Sequence, residues 1–203
     1  MSQIFFVSDF HFNHFNIIKY ENRPFSNVEK MNKELIRRHN ERVKKDDIVY
    51  YLGDLGFHCS KAKEHRGEGL NSGSLELLSK MNGHIIRLAG NHDKSANKNA
   101  TATHRIVLRK AGIYINLVHR PQDTIIEDDL HYYPLTIHGH VHGKYQTKEI
   151  EDKKIALCIN VSVETNNYYT YTFDEIMSIY HRWATAHPRR KEIRKWIITR
   201  KDK

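Results

Sequence analysis

The stretch His84-Ile85-Ile86-Arg87-Leu88-Ala89-Gly90-Asn91-His92-Asp93 (HIIRLAGNHD, residues 84–93) joins an apolar run to an abrupt group of polar side chains. Residues 84–90 read as a β-strand, because Ile85, Ile86 and Leu88 favour a pleated, buried surface and Gly90 breaks it. Asn91, His92 and Asp93 then bring an amide, an imidazole and a carboxylate to the strand end. Working outward, the same junction recurs. QIFFVSD (3–9) ends at Asp9 with His11 just beyond, and IVYYL (48–52) runs into Gly53-Asp54. IYINLVH (113–119) closes on His119, and LTIHG (135–139) leads into Gly139-His140-Val141-His142. Strand ends are where open α/β sheets keep their sites, since rigid strands aim the following side chains at one crevice.

Between these strands lie helical signals. Ser26-Asn27-Val28-Glu29 reads as a capping box, and Val28, Met31, Leu35 and Val43 recur at helical spacing, which predicts a helix near 27–44. A short helix is expected at 74–81, and Thr172-Phe173-Asp174-Glu175 opens another with Ile176, Ile179, Tyr180 and Trp183 facing inward. KIALCINVSV (154–163) is a further strand. Residues 58–73 and 94–104 are rich in Gly, Ser, Asn and Lys and read as loops. Strands alternating with helices define a layered α/β protein.

The 203 residues suffice for one core but are short for two, so the reading is a single domain over 1–187 followed by a basic tail or docked helix at 188–203. That tail carries eight Lys/Arg against Glu192 and Asp202, which accounts for +6 of the formal +9 charge. Apolar runs are too short to span a bilayer, and MSQIFFVSDF lacks a basic leader with a long apolar region. A soluble, unexported, cytoplasmic protein without membrane contact is expected. Cys59 and Cys158 are too few for a disulfide framework or a thiolate metal site, and Cys158 in IALCINV reads as a buried thiol. Fifteen histidines, by contrast, exceed ordinary usage several-fold and call for a role.

Carboxylate, imidazole and amide oxygen together suit first-row divalent ions such as Mn, Fe, Zn or Ni. Two such ions roughly 3.5–4 Å apart activate water and clamp both oxygens of a phosphoryl transfer. A shared carboxylate is then required, and Asp54 is the natural bridge.

The ordered series Asp9-Phe10-His11, Gly53-Asp54, Gly90-Asn91-His92-Asp93, His119 and Gly139-His140-Val141-His142 resembles the five signature blocks of the calcineurin-like metallophosphoesterase superfamily. The resemblance runs through most of residues 4–142. SDFHFNHFNIIKYENRPF (8–25) is also similar to a small bacterial and phage subgroup of predicted phosphoesterases. It implies a four-layer α/β/β/α sandwich around two mixed β-sheets and two bound divalent metals, Mn²⁺ first among them. Asp9, His11, Asp54 and His142 are implied to hold one ion, and Asp54, Asn91, His119 and His140 the other. His92 is implied to contact the phosphate and protonate the leaving oxygen, with Asp93 orienting it. The nucleophile is implied to be a hydroxide between the metals. Many members carry Asp or Arg three residues after the second-block aspartate, where this chain has Phe57.

His14, Asn13 and Arg23 follow the first block in a loop that must lie at the site, and are candidate substrate contacts; a guanidinium suits phosphate oxygens. His58 is a weaker candidate. His138 reads as core, and His39, His65, His84, His104, His131, His181 and His187 as structural or exposed. Tyr168, Tyr169 and Tyr171 read as packing residues.

The expected activity is hydrolysis of a small phosphorylated or nucleotide substrate, with diesters favoured over monoesters because small members without capping domains tend that way. The alternative is a nuclease or RNA-processing phosphodiesterase guided by the basic tail. A non-catalytic scaffold of the same fold is disfavoured, since such scaffolds typically lose the histidine that here is His92. Oligomeric state leaves no signal in the sequence.

Overall fold

Successive residues of the first strand point to opposite sides of a sheet, and this chain buries both sides: Phe5 and Val7 enter one apolar cluster, Phe6 the other. The computed structural model describes residues 2–56, 73–93, 103–128, 130–151 and 154–187. Phe57, His58, His65, most of the two expected loops and the basic segment 188–203 lie outside the described residues.

The elements run β1 (Ile4–Val7), α1 (Phe15–Tyr20), α2 (Val28–Arg42), β2 (Ile48–Tyr51), α3 (Ser74–Leu78), β3 (His84–Arg87), β4 (Arg105–Lys110), β5 (Ile113–Val118), β6 (Leu135–His138), β7 (Thr147–Glu151), β8 (Ile155–Asn160), β9 (Tyr171–Thr172) and α4 (Phe173–Ala186). They build two mixed sheets, ordered β3-β2-β1-β9 and β4-β5-β6-β8-β7. In the first, β1, β2 and β3 are parallel and β9 antiparallel. In the second, β5, β6 and β8 are parallel, flanked by antiparallel β4 and β7. The mixed α/β class with two mixed sheets is therefore as the sequence indicates.

Met31 and Leu35 of α2 and Leu77 of α3 pack with Phe5, Val7, Val49 and Tyr51 on one face of the first sheet. Its other face sets Phe6, Leu52 and Leu88 against Ile115, Leu117, Leu135, Ile137, Leu157 and Ile159 of the second. Each such buried aliphatic or aromatic side chain contributes about 1.5–3 kcal/mol. Ile176, Tyr180 and Ala184 of α4 join this same inter-sheet cluster, and the helix touches β1, β8 and β9. The second sheet's outer face meets the segment 121–133, through Thr124 on Cys158 and Arg105 stacked on Tyr133. Among the described residues no helix is long and apolar enough to cross a membrane.

The two capping signals differ in outcome. At α4 the box is complete: Thr172 Oγ1 accepts from Glu175 N at 3.1 Å, and Thr172 N donates to Glu175 Oε2 at 2.8 Å. At α2 the cap is Asn27, whose side chain accepts from Lys30 N at 2.8 Å, one residue later than the Ser26 reading.

Candidate metal centre

The parallel strands β1, β2 and β3 of one sheet and β5, β6 and β8 of the other deliver their C-terminal ends to one place. Asp9 N donates to Gly53 O, Gly139 N to His119 O, and Val163 N to Ser8 O, so the segments leaving five strands are tied edge to edge. There the backbone turns sharply. Asp9, His11, Asp54, His140 and His142 all take left-handed φ values, between 49° and 74°. For residues other than glycine this conformation is unfavourable, and its concentration in one crevice marks a built site.

Two glycines permit the close approach of these loops. A Cβ on Gly90 would lie 2.0 Å from Asp54 Oδ1, and one on Gly139 would lie 1.9 Å from Ser8 Oγ and 2.5 Å from Asp9 Oδ2. Gly139→Ala is accordingly expected to lower stability by about 1–3 kcal/mol, as overpacking does. It should also weaken metal binding, because the atom displaced is the anchor of Asp9. A urea midpoint and a Mn²⁺ titration equal to those of the parent would contradict this.

One donor cluster consists of Asp9, His11 and His142, whose ligand atoms lie within 4.8 Å of one another. Asp9 is fully buried, and its Oδ2 accepts from Ser8 Oγ, from Ser162 Oγ at 2.8 Å and from His140 N at 2.9 Å. Among the described residues its Oδ1 has no hydrogen-bond partner, and neither ring nitrogen of His11 has one. Buried polar atoms left without partners are costly, so an orphaned carboxylate oxygen 3.8 Å from an orphaned imidazole nitrogen fits a cation as the missing partner. Burial opposes ionisation of Asp9, but the imidazoles of His11, His119 and His142 outweigh it and hold its carboxyl well below the usual range. His142 is held from behind, its Nδ1 3.1 Å from Glu164 Oε1.

The second cluster is Asp54, His119 and His140, again with ligand atoms within 4.8 Å. His119 Nδ1 lies 2.7 Å from Leu52 O; a carbonyl can only accept, so Nδ1 carries the proton and Nε2 faces the crevice. That Nε2 is 3.0 Å from Asn91 Oδ1 and 3.3 Å from Asp54 Oδ2. Burial works against a charged His119, yet the bond to Asp54 and the charge of Asp9 raise it above the ordinary imidazole value. Asp54 Oδ2 is also 3.6 Å from His11 Nε2, a member of the first cluster. One carboxylate oxygen thus lies between the imidazoles of both. All seven ligands nominated by the sequence meet in this crevice.

The remaining nominated residues divide. His92 is exposed, with its ring 5.5 Å from that of His11 and its N–H donating to Asp54 Oδ1 at 2.9 Å. His14 stands at the residue before α1 with its ring 5.9 Å from that of His11, and burial with the nearby His11 pushes its pKa down to about 4. Asp93 is engaged with backbone. Its Oδ2 accepts from Asp54 N and Gly90 N and its Oδ1 from Leu55 N, at 2.8–3.0 Å, so it clamps the backbone of two ligand loops together. Asn13 is buried and bonded to Asn32 of α2, with Asn32 Nδ2 2.8 Å from its Oδ1. Arg23 is also buried, and its guanidinium is committed to Glu164 and to the carbonyls of Asp9 and Phe10, not turned to an incoming phosphate. The short reach of the loop from Asp9 to Arg23 placed both residues near the crevice but behind its wall. His138 is fully buried, as read.

Several contributors carry no sequence signal. Ser8 and Ser162 fix Asp9, and Glu164 backs His142. Burial raises the Glu164 carboxyl, but the His142 bond and the Arg23 charge prevail and keep it below its usual value. Beside the second cluster a cavity of about 130 Å³ is lined by Asn91, His104, His119, Arg120 and Asp123.

A two-sheet α/β sandwich thus gathers at its strand ends nitrogen and oxygen donor groups that could hold metal ions. The chain belongs to the calcineurin-like phosphoesterase family, whose profile matches residues 2–201. It is 41 % identical over 179 residues to an uncharacterized protein of Methanocaldococcus jannaschii, covering 88 % of this chain and 92 % of that one. It also resembles the solved structure of a protein of unknown function from Aquifex aeolicus, with a TM-score of 0.66 and 26 % identity over 88 % of this chain and all of that one. Family membership supports metal-dependent phosphoester hydrolysis.

Proposed function

We propose that this protein is a dinuclear metal-dependent phosphodiesterase acting on a small phosphorylated or nucleotide substrate in the cytoplasm. The observation that carries the reading is the position of Asp54 Oδ2, 3.3 Å from His119 Nε2 and 3.6 Å from His11 Nε2, between the two donor clusters. When bound, two divalent ions such as Mn²⁺ supply an activated water and neutralise charge on the phosphoryl group. Asp9, His11 and His142 would hold one ion, and Asn91, His119 and His140 the other, with Asp54 as the shared ligand. His92, exposed and with its ring 5.5 Å from that of His11, would give a proton to the leaving oxygen. His14 lies at the rim on the same side. The cavity beyond Asn91 and His119 offers the Arg120 guanidinium to the remainder of the ester, a favourable partner for anionic oxygen.

The test is chelation followed by reconstitution. Stripped protein should be inactive and should regain hydrolysis of bis-p-nitrophenyl phosphate on addition of Mn²⁺, with slower turnover of p-nitrophenyl phosphate. Protein with two bound metals that cleaves neither compound, nor any cyclic nucleotide, dinucleotide or oligonucleotide, would overturn the reading. Preference for the monoester would overturn its diester part.

A further inference from the structure

Behind the first donor cluster sits a buried ion pair from two remote parts of the chain. Arg23 lies between α1 and α2, and Glu164 lies in the turn after β8, 141 positions away. The Arg23 side chain is 0 % exposed and that of Glu164 7 %. Nε and Nη2 of Arg23 donate to Glu164 Oε1 at 2.9 and 2.6 Å. The same guanidinium donates from Nη2 to Asp9 O and from Nη1 to Phe10 O, each at 2.7 Å. Glu164 Oε1 in turn faces His142 Nδ1 at 3.1 Å.

The contacts fall on one cluster only. Asp9 and the residue beside both Asp9 and His11 are gripped through their carbonyls, and His142 is gripped through its ring. No hydrogen bond of this pair reaches Asp54, Asn91, His119 or His140 among the described residues. Because a carboxylate can only accept, the His142 nitrogen facing it carries the proton, and the other nitrogen is left for a cation. A buried ion pair adds little net stability by itself, so stability alone does not account for this one.

We propose that Arg23 and Glu164 are positioning residues for the Asp9–His11–His142 cation site and set its affinity independently of the Asp54–His119–His140 site. The proposal rests on the dinuclear reading above. One guanidinium holds the backbone that carries Asp9 and His11, and through Glu164 it fixes the tautomer and ring orientation of His142. Loss of an outer partner of this kind typically lowers metal affinity about 10–100-fold. The expected consequence is a loss confined to one of two sites.

The experiment is a Mn²⁺ titration of the full, metal-stripped chain by calorimetry and electron paramagnetic resonance, for the parent, Glu164→Gln and Arg23→Lys. The parent should bind two ions and show an exchange-coupled spectrum. Glu164→Gln keeps shape but removes the charge; it should bind one ion with parental affinity and the other about 10–100-fold more weakly, giving an uncoupled spectrum at intermediate Mn²⁺. Arg23→Lys keeps the charge but cannot span all three acceptors, and should show the same one-site loss. Thermal unfolding of the metal-free forms separates a folding defect from a site defect. Equal weakening of both sites, or a lowered melting temperature with both affinities unchanged, would mean a purely structural ion pair and overturn the proposal. Should Glu164→Gln not fold, an Arg23→Lys protein with two parental affinities would do the same. A parent that binds no pair of ions would instead refute the dinuclear reading itself.

Discussion

Replacing Asp54 with Asn is expected to leave a folded protein that holds at most one tightly bound Mn²⁺ and has lost turnover by well over a hundredfold. The expected tolerance of the fold comes from the backbone. Asp54 has φ 55°, a conformation that asparagine adopts more readily than other residues, and the two side chains have the same shape. The Asp54 N–H to Asp93 and the stacking of the loops do not depend on the charge. What changes is the oxygen between His119 and His11. A neutral amide cannot balance two dications across one position, so the centre loses its shared ligand. The loss should exceed the roughly 10–100-fold typical of an outer partner, because this group touches both sites. Metal analysis, calorimetry and turnover on bis-p-nitrophenyl phosphate measure the three parts separately. A variant that still binds two ions tightly and turns over like the parent would show that Asp54 is not the bridge.

His92→Asn separates binding from chemistry. The His92 ring belongs to neither donor cluster, while its backbone N–H supports Asp54 Oδ1 and is unaffected by the change of side chain. Metal content and exchange coupling should therefore match the parent. Turnover should fall by about 10²–10⁴, the range of a positioned general acid. The loss should shrink for an ester whose leaving group is acidic enough to depart unprotonated, as p-nitrophenol is, and grow for an alkyl leaving group. An equal loss on both kinds of substrate, or no loss on either, would remove the acid role, and loss of a metal would move His92 among the ligands.

How much of this was legible in the sequence follows from what each part depends on. The strand-end junctions were readable because a strand needs apolar residues and a metal site needs Asp, His and Asn, and the two compositions meet abruptly at Asp9, Asp54, Asn91, His119 and His140. The edge strands β4 and β7 were not, since both expose one face and carry charges: β4 has only Ile106-Val107-Leu108 between basic residues, and β7 only Ile150 among charged and polar ones. Helix α1 has six residues and no side-chain cap, and β9 has two, too little for any period to register.

The residues behind the ligands failed for a different reason. Asp93, Asn13 and Arg23 were correctly placed near the crevice by their distance from ligands along the chain. Whether such a side chain faces the opening or the wall is decided by partners elsewhere: Asn32 for Asn13, and Glu164 for Arg23. Glu164 itself follows a buried strand in the run NVSVET, where an acid is ordinarily a solvated turn residue. The parallel pairing of β6 with β8 brings it to His142, and the meeting of the two sheets, marked by the bridge from Ser8 to Ser162, brings it to Arg23.

The central claim is the sharing of one aspartate by two cations, and a crystal structure of Mn²⁺-loaded protein with anomalous data tests it most directly. Two peaks are expected roughly 3.5–4 Å apart, with the Asp54 carboxylate touching both, Asp9, His11 and His142 on one side and Asn91, His119 and His140 on the other. A single peak, or a pair that Asp54 does not join, would contradict it.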